Sequence, residues 1–98
     1  DYQAAISAFD IFMEENFGTE FREDAMAYKF LSAYELGIRS IFSKKEKRLN
    51  DAILAYNRFQ KSFPKSERLS EFTNLLDNLN DELKLTIELQ EKINTNGL

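Results

Sequence analysis

Three pairs of neighbouring carboxylates, Glu14-Glu15, Glu23-Asp24 and Asp81-Glu82, come nearest to acid–base or metal chemistry in this chain. Such chemistry needs oxygens that converge on one point, and adjacent residues on a helix point about 100° apart. The 98 residues include no histidine, which removes the commonest general base and the commonest transition-metal ligand together. They include no cysteine, which excludes disulfides, thiolate nucleophiles and zinc–thiolate sites and leaves the redox compartment open. There is no Asp-x-Asp-x-Asp loop for calcium. The expectation is therefore a chain without catalytic, cofactor-binding or metal-ligating residues, and not an enzyme. Glu20, Glu23 and Asp24 read more simply as carboxylates near the positive end of a helix.

The second group with chemical potential is basic. Lys44, Lys45, Lys47 and Arg48 lie within five positions. Residues 1–42 hold eight acids and three bases, residues 43–68 three acids and eight bases, and residues 69–98 six acids and two bases. A basic middle between acidic flanks is a candidate partner-binding surface, and these four residues are its centre. A nucleic-acid partner is not expected, because the sequence pI is near 4.8 and no continuous basic stripe is present.

These side chains must be held by some scaffold, and the composition points to helices. One proline and three glycines leave few places for the frequent turns that strands require. Hydrophobic residues make up 43%, enough for a core, yet no apolar run approaches the roughly 20 residues of a membrane span. Tyr2, Ala5, Ile6, Phe9, Phe12 and Met13 recur at three and four residues, which predicts an inward face on a helix over about 2–16. Gly18 is its natural stop, and Thr19 would cap the next helix. That second helix would carry Phe21, Ala25, Tyr28, Leu31 and Tyr34 inward and run on through Leu36, Ile38 and Ile41. It is apolar on more than one side, so it should sit between two neighbours. Ser43 and Glu46 have capping-box spacing, placing a break near 42–45. A third helix over about 46–62 would bury Leu49, Ala52, Ile53, Tyr56 and Phe59 and end at Pro64. Ser66 would cap a fourth helix over 67–93, about 40 Å long, with a stripe of Leu69, Phe72, Leu76, Leu79, Leu83 and Ile87. Its distal half, from Leu83 to Ile93, would overhang the shorter helices and invite self-association, and Gly97 would lie near its C-cap.

The chain also repeats itself. AISAFDIF at 5–12 aligns with AILAYNRF at 52–59, an offset of 47. Ala, Ile, Ala and Phe are identical, Phe and Tyr exchange aromatics, and Asp and Asn are near-isosteric. Self-similarity of this kind marks a helical-repeat architecture. Small Ala52 admits a neighbouring helix, Ile53, Tyr56 and Phe59 fill the space between, and Phe63-Pro64 turns the chain.

The pattern Tyr-x-x-Ala-Ile-x-x-aromatic-x-x-Phe, closed by Phe-Pro-x-Ser, resembles the second helix of a tetratricopeptide repeat. AYKFLSAYELG at 27–37 resembles a first helix. Relative to a repeat of about 34 residues, about ten are inserted before Ala52. With this insertion, YELGIRSIFSKKEKRLNDAILAYNRFQKSFPKSE resembles the C-terminal part of the BamD family of outer-membrane-protein assembly lipoproteins, sometimes labelled competence or DNA-uptake lipoproteins. The likeness covers about residues 1–80. It departs at Asn16-Phe17, where the family has Tyr-Pro, and in the leucine-rich tail after Leu83.

The fold class expected is all-α: tetratricopeptide-like antiparallel helix-turn-helix repeats in one domain over 1–98, with about four helices, an extended second helix and a long last one. The chain opens on Asp1 rather than Met and is read as a C-terminal piece of a longer protein. The resemblance implies a non-catalytic scaffold at the periplasmic face of the bacterial outer membrane. An N-terminal lipid would tether it, and it would dock on the periplasmic domains of the central barrel assembly protein. The alternative is another periplasmic tetratricopeptide adaptor coordinating envelope processes, which would share the Ala-Ile-x-x-aromatic motif but lack the insertion.

Overall fold

Three rings, Phe30, Phe59 and Phe72, meet at the centre of the molecule, with centroids 4.7 Å apart for Phe30–Phe72 and 5.0 Å for Phe59–Phe72. Each comes from a different helix of a computed structural model that describes residues 2–96, the side chains of Tyr2, Gln3 and Ile6 excepted. The four helices are α1 (Tyr2–Phe17), α2 (Thr19–Ile38), α3 (Phe42–Ser62) and α4 (Leu69–Thr95). Among the described residues all regular structure is helical, so the chain is all-α with four helices and no strand. Ala27, Leu49, Ala52 and Leu79 complete the buried core, with Met26, Ala33, Tyr34, Ile38, Ile53, Tyr56, Phe63, Leu69, Leu75 and Leu83 packed half-buried around it. Burying one such Phe or Leu is worth about 1.5–3 kcal/mol.

The helix α2 packs on α1, α3 and α4, one neighbour more than the two its apolar pattern predicts. Its closest approach is to α3. A Cβ added to buried Gly37 would sit 3.2 Å from both the Arg48 carbonyl oxygen and Leu49 Cδ2. Gly37 is therefore what lets the two backbones meet near their turn. The inward row of α2 is Met26, Ala27, Phe30, Ala33, Tyr34 and Gly37. This corrects the expected stripe. Tyr28 is 73% exposed, and Phe21 and Leu31 also face water. Tyr34 is half-buried, and its hydroxyl accepts a hydrogen bond from Asn78 Nδ2 on α4.

The boundaries differ in three places. The turn between α2 and α3 lies at 39–41, not 42–45, so Ser43 and Glu46 are inside α3 and form no capping box; the N-cap is Ile41, without a side-chain bond. The second helix accordingly ends at Ile38 and does not run on through Ile41, and α3 begins at Phe42. Thr19 does not cap α2. The N-cap is Gly18, whose φ of 88° is open to glycine and whose N–H donates to Glu14 O at 2.8 Å, closing α1 as expected.

After α3, the Phe63 N–H still reaches Phe59 O at 2.8 Å before Pro64 turns the chain. The N-cap of α4 is Arg68 rather than Ser66. Ser66 nonetheless takes the Arg68 N–H on its hydroxyl at 3.2 Å, two residues on, and so orders the turn leading into the helix. Arg68 ties that turn to the start of α2: it hydrogen-bonds Asp24 and pairs with Glu23 at 3.4 Å. Glu23 and Asp24 thus meet a cation across the fold, beyond any interaction with their own helix dipole.

Along α4, Phe72 and Leu79 are buried and Leu83 packs half-buried beside them, as expected, but the next buried position is Thr86, 3% exposed, and Ile87 is exposed. The Thr86 hydroxyl bonds Glu82 O in its own helix at 2.8 Å, which satisfies the buried group. The Tyr56 and Thr73 hydroxyls lie 3.1 Å apart between α3 and α4. Asn96 is the C-cap, and Gly97 lies outside the described residues.

Candidate functional site

The four basic residues singled out in the sequence lie on the first two turns of α3, not in a loop. The structure does not bring them to one surface. Lys45 turns toward α4 and pairs with Glu82 at 3.2 Å, its side chain only 21% exposed. Arg48 reaches back to the Ser40 hydroxyl at 3.2 Å and braces the α2–α3 turn. Lys47 is outward and bonds Asp51 one turn on at 2.9 Å, a pair so exposed that it adds a few tenths of a kcal/mol at most. Lys44 is exposed. Two of the four therefore work inside the fold, and Lys44 and Lys47 face solvent. Cations in the first turns of a helix oppose its dipole, so the placement costs the fold something.

Sequence reasoning missed the apolar neighbours of this basic pair. Ile41 at the α2–α3 turn is 64% exposed, and Phe42 next to it in the chain and Leu36 in the last turn of α2 are exposed too. The sequence pattern places Ile41 at the end of the second helix. Its adjacency to Phe42 and to a run of lysines was the available signal.

A groove of about 540 Å³ runs between α1, α2 and α3. Met26 and Ala33 of α2 form its floor, and Ala55 and Arg58 of α3 stand on one wall. Charges alternate around it: Lys29 lies 3.6 Å from Asp10, and Arg22 lies 3.7 Å from Glu14. Arg22 also lies over the Phe63 ring, 5.5 Å from its centre. These pairs join α1 to α2. No group of three acids that could hold a metal exists among the described residues. Among them, too, no helix is long and apolar enough to cross a membrane.

Two apolar surfaces remain. On α1, Phe9, Ile11, Phe12 and Phe17 are 53–61% exposed. On the overhanging part of α4, Leu85, Ile87, Leu89 and Ile93 are 37–51% exposed, as the length of that helix led one to expect. Comparison with models of known families, with curated proteins and with solved structures gives no significant match to the chain.

Proposed function

We propose that the chain is a non-catalytic scaffold that docks on a protein partner through the α2–α3 turn. One observation carries this reading: Ile41 and Phe42 are exposed at the α2–α3 turn, and Lys44 and Lys47 are exposed within the two helical turns that follow. Apolar anchors ringed by polar and charged groups are the make-up of docking surfaces, where a few large side chains supply most of the energy. The basic rim selects for an acidic surface and speeds encounter with it.

The finer reading is tetratricopeptide-like. In it α1 is the second helix of one unit, α2 and α3 form a unit, and α4 begins another. The quoted motifs then support a BamD-like assembly lipoprotein at the periplasmic face of the outer membrane. Its partner would be the periplasmic domains of the barrel assembly protein, and the lysine-bearing turn would be the docking end.

The test is capture of the chain by those purified periplasmic domains. The variants are Lys44→Glu with Lys47→Glu, and Ile41→Ser with Phe42→Ser. Lys45 and Arg48 stay untouched because their reversal would break contacts within the fold. Capture of the wild type, weakened about tenfold or more in each variant, is expected. Equal capture of all three would move the interface off this turn. No capture of the wild type would remove the BamD-like reading and leave the adaptor.

A further inference from the structure

Seven of the eight asparagines in the chain lie inside α1, α3 or α4. The eighth, Asn96, is the exposed C-cap of α4. It is also the one asparagine followed by glycine. We infer that Asn96 is a site of spontaneous covalent modification, at which the side-chain amide is lost and part of the backbone is rerouted through the side chain.

The step needs only water. The Gly97 backbone nitrogen attacks Asn96 Cγ. A bond forms between them, the Cγ–Nδ2 bond breaks, and ammonia leaves with the proton of the Gly97 amide. The cyclic imide that results takes up one water. Opening at Cγ gives aspartate. Opening at the main-chain carbonyl gives isoaspartate, whose chain runs on through Cγ. Two features set Asn96 apart. Glycine puts no Cβ in the path of the attack, whereas Asn94 is followed by β-branched Thr95. Inside a helix the next residue's N–H is committed to a carbonyl one turn back, so its nitrogen cannot swing over Cγ. Some helical side-chain amides are held as well: Asn16 Nδ2 donates to Phe12 O at 2.8 Å, and Asn78 Nδ2 donates to the Tyr34 hydroxyl. At Asn96, rotation about ψ moves only the chain that follows and leaves its own N–H on Lys92 O, 3.0 Å away. The product carries a new carboxylate at the negative end of the helix, where Glu88 and Glu91 share a shallow surface hollow with Asn96 and Lys92 is the basic residue of the last turn. That turn frays, while the packing around Leu79 and Leu83 is left intact.

Peptide mass spectrometry of the intact chain tests this, with the aspartyl and isoaspartyl forms separated. The chain is held warm in mildly alkaline buffer and sampled over weeks. Asn96 loses its amide at least about tenfold faster than any other asparagine, and both products appear; Gly97→Val slows the loss by a similar factor. In guanidinium chloride the helical asparagines speed up severalfold, while Asn96 changes little. The aged chain melts like the fresh one and loses a little helicity. The inference is overturned if another asparagine converts first, or if Gly97→Val converts at the wild-type rate. It is overturned equally if Asn96 keeps its amide while the free peptide EKINTNGL loses it, since the fold would then protect the site.

Discussion

The first alanine and the last phenylalanine of one eight-residue pattern are buried in α3 and exposed in α1. In α3 the alanine and the final phenylalanine of AILAYNRF lose all contact with water, because α2 and α4 cover them. In α1 the matching Ala5 and Phe12 face solvent, because α2 is the neighbour and it takes the opposite side of the helix through Asp10 and Glu14. An amphipathic pattern records which face can be buried. The ion pairs and the number of neighbouring helices decide which face is.

The sharpest way to break this comparison is to truncate the two matched rings. Phe59→Ala should cost about 3–5 kcal/mol, since the cavity would open between Phe63 and Phe72 with no exposed side to collapse from. Phe12→Ala should cost under about 0.5 kcal/mol at low protein concentration, as surface changes do. Urea denaturation of both variants gives the two numbers, and equal losses would end the distinction. The close approach of α2 and α3 comes next. Gly37→Ala pushes a methyl against the Arg48 carbonyl and Leu49 and should cost about 1–3 kcal/mol, visible as a lower melting temperature. If Gly37→Ala melts like the wild type, the helices are further apart than described.

Two smaller effects sharpen the account. Arg68→Ala removes the tie between the entry to α4 and Glu23 and Asp24. With a side chain 38% exposed, the expected loss is about 1 kcal/mol, shrinking as salt is raised from 0.05 to about 0.5 M. A loss independent of salt would mean that packing, not charge, holds that corner. The smallest concerns Thr86, whose buried hydroxyl bonds only its own helix. Thr86→Val keeps the shape, removes the polar group together with its need for a partner, and should change stability by less than about 0.5 kcal/mol in a thermal melt.

Much of the architecture could be read from residues alone. The scarcity of Pro and Gly, the helical spacing, Gly18 and Pro64 together define four helices, and in α3 the row Leu49, Ala52, Phe59 is the buried one. In α2 the reading failed for a physical reason. Two rows, Phe21–Tyr28–Leu31 and Ala27–Phe30–Tyr34, both have helical spacing and both contain aromatics, so periodicity cannot choose between them. Gly37, which belongs to the second row and marks a close backbone approach, was the clue. The capping-box spacing of Ser43 and Glu46 misled because three residues is also an ordinary helical interval. The basic cluster was visible as composition. Its division into inward Lys45 and Arg48 and outward Lys44 and Lys47 depends on where α4 and the turn fall, which local sequence does not contain.

The most direct measurement uses the absence of cysteine. Ala5→Cys and Ala52→Cys place a single thiol at the matched small position of each copy, and the rate of labelling by a thiol reagent reads its exposure. At about 5 µM chain, the thiol at position 5 should react nearly as fast as in the denatured chain. The thiol at position 52 should react slower by a factor on the order of 10³ or more, limited by opening of the core. Equal rates at the two positions would contradict the account, whether both are fast or both slow: the same motif would then be packed alike in α1 and α3.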